Sequence, residues 1–215
     1  MSESSSPPCQ CFARVCEEQG FREAAAGQLF SAAVPLAPTL DEKQMFARHC
    51  LDELDHFEAV STLYEEQGGE ELLSKLRARL AALSKPESWL EMVIVGLVFD
   101  RAVYYQLRAY AMAPDKRIAS MAVNVIADEQ EHLAASQAAL ADIGRQDEKI
   151  GPLATDLVKR WLPTALACFD GPEPACPHGP HRSEDAARAA RRAYFDSLAA
   201  VLVPIGVPTE LFSGS

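Results

Sequence analysis

Asp52-Glu53-Leu54-Asp55-His56 returns in nearly the same wording as Asp128-Glu129-Gln130-Glu131-His132. Each copy places a Glu and a His three residues apart, which on an α-helix sets them side by side on one face. Composition does not force the repeat, since three of the five histidines lie elsewhere. In helical register the first copy falls on a stripe of Phe46, Cys50, Glu53, Phe57, Val60, Leu63 and Tyr64, with His56 beside Phe57. The second falls on Ile118, Met121, Ala122, Val125, Glu129, His132, Leu133 and Leu140. Both stripes are apolar apart from the acid and the imidazole, so both pairs are expected to face a core. A carboxylate facing a core is costly unless something compensates it, and a bound cation is the usual compensation.

A metal site between helices needs one more inward carboxylate from a partner of each Glu-x-x-His helix. Upstream of the first copy, Phe12, Cys16, Gln19, Glu23, Ala26, Phe30 and Ala33 form a stripe that contains Glu23. Upstream of the second, Val93, Leu97, Asp100, Val103, Tyr104 and Leu107 form one that contains Asp100. Glu23 precedes Glu53 by thirty residues and Asp100 precedes Glu129 by twenty-nine, which makes the two halves pseudo-equivalent. Either Glu-x-x-His alone reads as a charged helix face, and Asp100 alone as a partner of Arg101 or the cap of a bend. Together they predict a site of Glu23, Glu53, His56, Asp100, Glu129 and His132. Four carboxylates and two imidazoles suit a pair of iron ions, with manganese possible, rather than zinc. Glu53 and Glu129 are the expected bridges. Asp52 and Asp128 each lie four residues before a His and can accept the other ring N–H, of the same or the facing histidine, or else sit at a solvated edge. Tyr104 either hydrogen-bonds a ligand or fills the core.

At 215 residues and 48% hydrophobic content the chain can bury one full core. A net charge of −11 argues against nucleic acid or an anionic membrane as partner. Met1 to Pro8 has no basic start and no apolar stretch, and Trp89 to Phe99 is too short to span a bilayer, so a cytoplasmic protein is expected. The six cysteines fall in no Cys-x-x-Cys pair and read as reduced thiols.

The organisation expected is all-α. Residues 1–10 form a disordered tail, 11–168 a four-helix bundle with a connector at Glu70 to Leu83, 169–182 a Pro/Gly loop, and 183–215 a C-terminal helix and tail packed on the bundle. Thr39 followed by Glu42 marks a capping box, Gly68-Gly69 a helix stop, Ser84-Lys85-Pro86-Glu87 a helix start, and Gly144 another stop. Cys176, His178 and His181 could bind a metal but read more simply as a solvated loop.

Glu, Glu-x-x-His, Asp, Glu-x-x-His on four long helices resembles the ferritin-like di-iron superfamily, and the Asp-Glu-x-x-His wording resembles its oxygen-activating monooxygenases. The flow from Arg22-Glu23 through Pro35-x-x-Pro38-Thr39 to Asp52-Glu53-Leu54-Asp55-His56, with Leu97-Val98-Phe99-Asp100-Arg101, is similar to the phenylacetic acid catabolic family. That family includes the catalytic and structural subunits of phenylacetyl-CoA epoxidase. The resemblance covers roughly residues 12 to 165. It implies that the six residues hold two irons, that O2 is co-substrate, and that a small organic molecule is hydroxylated or epoxidised. It also implies an external electron donor, a reductase or ferredoxin, and a homo- or hetero-oligomer. Keeping all six ligands suggests a catalytic subunit, although Asp100 gives one ligand arm less reach than Glu. No basic cluster suited to the phosphates of coenzyme A is visible, which leaves the substrate open. Iron storage with ferroxidase activity, a metal-free structural subunit, and a transfer-RNA hydroxylase, disfavoured by the acidic balance, are the competing readings.

Overall fold

The computed structural model describes residues 10–147, 149–169 and 184–213, without the side chains of 184–187. Helix α1 (Gln10–Ala33) carries Gly20, Ala24, Ala25, Ala26 and Gly27 among its buried residues. These small side chains let α2 (Leu40–Glu66) come close. A Cβ added at Gly27, one turn beyond Glu23, would lie 3.4 Å from Glu53 Cβ, so the two helices approach closely there.

α2 opens on the expected capping box, with Glu42 N–H donating to Thr39 Oγ1 at 3.2 Å and Thr39 N–H to Glu42 Oε2 at 3.0 Å. It closes at Gln67 before Gly68, whose φ of 86° is open to glycine without a Cβ penalty. The connector α3 (Leu72–Ala81) buries Leu72, Leu76 and Leu80.

The next helix begins later than the sequence suggests. Residues 83–87 are not helical, because Pro86 disfavours helical geometry at the residue before it. Ser88 caps α4 (Trp89–Val95) instead, accepting a hydrogen bond from Glu91 N–H at 3.1 Å. The chain then passes without a break through a π-helical turn (Gly96–Asp100) into α5 (Arg101–Tyr110). α6 (Lys116–Gln146) runs through Gly144, which was expected to stop it. α7 (Gly151–Leu166) contains Pro163 and ends in a 3-10 turn at Ala167–Phe169. At its start Gly151 meets the chain end, and a Cβ there would sit 2.6 Å from the Ile205 carbonyl oxygen. α8 (Glu184–Leu202) packs on α5, and Tyr194 OH donates to the Val98 carbonyl at 3.1 Å.

α1 packs on α2, α5 on α6, and α2 meets α6 across the middle. With α4, the π turn and α5 counted as one long run, these are the four helices of an all-α, ferritin-like bundle, and no strand occurs among the described residues. Among the same residues no helix is long and apolar enough to cross a membrane. Cys16, Cys50 and Cys168 are free thiols, with burial pushing Cys16 up to about 12. Cys11 is disulfide-bonded, which departs from the expectation of reduced thiols throughout. The tail at 1–9, most of the 169–182 loop, and Cys176, His178 and His181 lie outside the described residues.

Candidate metal centre

The four long helices each send one or two of the six residues inward. α1 gives Glu23, α2 gives Glu53 and His56, the π turn gives Asp100, and α6 gives Glu129 and His132. All six are buried, and the four acids are no more than 2% exposed. Ligand atoms of Glu23, Glu53, His56 and Glu129 lie within 4.8 Å of one another, close enough to hold a metal ion. His132 joins them through Glu53. Glu53 Oε1 lies 3.0 Å from His132 Nδ1 and Oε2 lies 3.7 Å from His56 Nδ1, so one carboxylate spans both imidazoles. Glu23 Oε2 is 3.6 Å from the same His56 Nδ1. Asp100 lies within electrostatic reach of His132 and of Glu23.

Seven atoms of these residues are buried without a hydrogen-bond partner: Glu23 Oε2, both oxygens of Glu53, His56 Nδ1, Asp100 Oδ2, Glu129 Oε2 and His132 Nδ1. Orphaned buried polar atoms cost roughly 1–3 kcal/mol each, more when charged, so a cluster of them needs a compensating ligand. Oxygen-rich donors with two imidazole nitrogens fit a pair of iron or manganese ions. The reading of Asp100 as a partner of Arg101 fails. The Arg101 guanidinium turns the other way, to the Leu97 carbonyl at 3.2 Å and to Ser197 Oγ.

Burial sets the protonation of the cluster. Desolvation, followed by neighbouring carboxylates, drives Glu53 and Glu129 well above the usual range and lifts Asp100 to about 7. Burial opposes ionisation of Glu23 too, but the facing His56 and Glu53 and the hydrogen bond from Gln19 hold it below its ordinary value. His56 loses solvent as well, yet Glu23 and Glu53 bring it up to about 11. Without metal, a proton on His56 therefore sits between the acids that face it.

The outer faces of the two histidines are crossed. His56 Nε2 lies 3.0 Å from Asp128 Oδ2, and His132 Nε2 lies 3.3 Å from Asp52 Oδ2. Each Asp thus serves the histidine of the other repeat, and each is nearly half exposed, at 47% for Asp128 and 42% for Asp52. With the outer N–H held by a carboxylate, the neutral ring presents its Nδ1 lone pair inward. Tyr104 OH receives a hydrogen bond from Gln130 Nε2 at 3.0 Å, so it meets the neighbour of Glu129 rather than a ligand.

One buried imidazole was not anticipated. His49 sits four residues before Glu53, on the same face, and its ring lies 4.0 Å from that of His132. The signal was the spacing 49, 53, 56, 60, whereas the stripe drawn through Cys50 follows a half-buried position. Burial, then His132 and Arg48, hold His49 down to about 3, against an ordinary 6.5. The unfolded chain therefore binds a proton below 6.5 that the folded chain refuses. His49 costs nothing above that value, and stability is lost as pH falls from 6.5 toward 3, by up to about 1.4 kcal/mol per pH unit. In denaturant melts of metal-free protein between pH 7 and 4, His49→Phe should flatten the slope by about one proton. An unchanged slope would show that His49 is hydrated.

The sequence comparisons bear on this geometry. Residues 9–202 match the family model described as phenylacetic acid catabolic protein. No curated protein matches the chain.

Proposed function

The chain belongs to the phenylacetic acid catabolic protein family, and from that premise we propose that it is the oxygen-activating, di-iron component of a monooxygenase. Membership makes it an oxygenase-type component of phenylacetic acid catabolism. The finer reading is that Glu23, Glu53, His56, Asp100, Glu129 and His132 hold two irons, with manganese a possible substitute. O2 is then co-substrate for the hydroxylation or epoxidation of a small organic molecule, aromatic or acyl-CoA. The observation that carries it is the set of seven orphaned donor atoms on six buried residues.

When bound, the iron pair supplies the redox chemistry that reduces O2 and oxidises the substrate. The residues supply the rest. Glu53 faces both imidazoles and would hold an ion on either side. Asp52 and Asp128 hold the outer protons of His132 and His56, and their exposure gives those protons a route to solvent. The dry interior around Glu23, Glu53 and Glu129 excludes bulk water from the reacting centre. A shallow, open depression begins one turn from His56 and Asp128, between Ala59, Thr62 and Leu63 of α2 and Ser120, Met121 and Asn124 of α6. Electrons come from an external reductase or ferredoxin, in the cytoplasm, within a homo- or hetero-oligomeric complex.

The test is O2 uptake by iron-loaded, chemically reduced protein offered small aromatic acids and their acyl-CoA thioesters, with isotopically labelled O2. One labelled oxygen atom in a product, from a substrate that speeds uptake, is the expected result. Uptake indifferent to every substrate, with iron accumulating far beyond two per chain in a very large oligomer, would indicate storage instead.

A further inference from the structure

The repeat relates the two halves of the centre, but their surroundings differ. On the first side Gln19 Nε2 donates to Glu23 Oε1, and Arg22 Nη1 donates to Gln19 Oε1 at 3.1 Å. Arg22 also donates to the Cys168 carbonyl at 3.0 Å and reaches Tyr110 OH at 3.5 Å. A guanidinium can only donate, so the Gln19 oxygen must face Arg22 and its amide NH2 must face Glu23. Gln19, Arg22 and Glu23 are at most 2% exposed. One oxygen of Glu23 is thereby tied down, and the other, Oε2, is left facing His56 without a hydrogen bond.

Among the described residues, Asp100 Oδ2 has no hydrogen-bond partner. The position matching Gln19, four residues before the acid, is Gly96, and the one matching Arg22 is Phe99. Neither side chain can donate. Gly96 cannot be replaced by a donor without collision, because a Cβ there would run into Ser136 Oγ. Arg101 points away toward α8, and Asp100 has one methylene less reach than Glu23.

Building on the di-metal reading above, we infer that the two metal positions are inequivalent and fill in order. The position of Glu23 and His56 binds first and more tightly, with Gln19 and Arg22 as the positioning pair that orders Glu23 before the ion arrives. The position of Asp100 and His132 fills second. An outer partner that fixes a ligating group is worth roughly 10–100-fold in metal affinity, enough to separate two otherwise similar sites.

Anaerobic titration of metal-free full-length protein with Co(II), followed by calorimetry and by visible absorption, tests this. The wild type should bind in two steps at least tenfold apart. Gln19→Leu should weaken the tighter step by roughly 10–100-fold and leave the other in place. Asp100→Asn should remove the weaker step and keep the tight one, and it decides the matter if Gln19→Leu does not fold. Two equal steps in the wild type, a tight step untouched by Gln19→Leu, or its loss in Asp100→Asn would overturn the inequivalence. A wild type that binds no Co(II), Mn(II) or Fe(II) would instead overturn the di-metal reading itself.

Discussion

Glu53→Gln should abolish binding of both metal ions while leaving the metal-free protein almost as stable as before. Among the described residues Glu53 is the acid whose two oxygens face both histidines, so its loss removes a ligand from each position. Burial and the carboxylates around it already favour its protonated form in the absence of metal, and glutamine has nearly that shape and charge. The cost to the metal-free fold is therefore within about 1 kcal/mol. In the wild type two ions, each at a hundredfold excess over its Kd, add about 5 kcal/mol together by mass action. For a chain of this size that raises Tm by roughly 10–20 °C. Calorimetric melts with and without iron should show this rise in the wild type and none in Glu53→Gln. A rise of similar size in the variant would show that Glu53 is not a shared ligand.

Phe30→Ala should be the most destabilising single truncation near the centre. Phe30 is 1% exposed, and its ring meets Phe46 at 5.5 Å, His49 at 5.4 Å and His132 at 5.3 Å. Removing it loses the transfer energy of the ring and leaves a cavity, together about 3–5 kcal/mol. Because the ring walls off His49 and His132, water entering the cavity should also relieve the desolvation of His49. Urea unfolding at pH 7 should give the loss of stability, and the same measurement at pH 5 should show a shallower acid dependence than the wild type. A cost below about 1 kcal/mol would mean that the region collapses around the gap.

Much of this centre could be read from spacing alone. Glu-x-x-His is a statement about one helix face, and two copies on apolar stripes need no tertiary information to be seen as inward-facing. The capping box at Thr39 and Glu42 and the stop at Gly68 are equally local. What escaped reading depends on contacts between distant segments. Gly144 costs a helix only about 1 kcal/mol, and α6 continues through it to Gln146. The π turn at Gly96–Asp100 leaves no mark in hydrophobic period, yet it carries one of the six acids. Nothing local marks Arg22 as buried, since arginine is seldom fully buried. Its burial follows from Tyr110 and Cys168, 88 and 146 residues away. The crossing of Asp52 and Asp128 to opposite histidines likewise had two local solutions until α2 and α6 were brought together.

Elemental analysis of the full-length protein, produced with iron and purified without chelators, tests the central claim most directly. The geometry predicts about two irons per chain, as the four-helix carboxylate arrangement requires. Protein with no bound metal, and with a melting temperature that does not move when Fe(II) is added anaerobically, would contradict the claim and leave a helical interaction subunit.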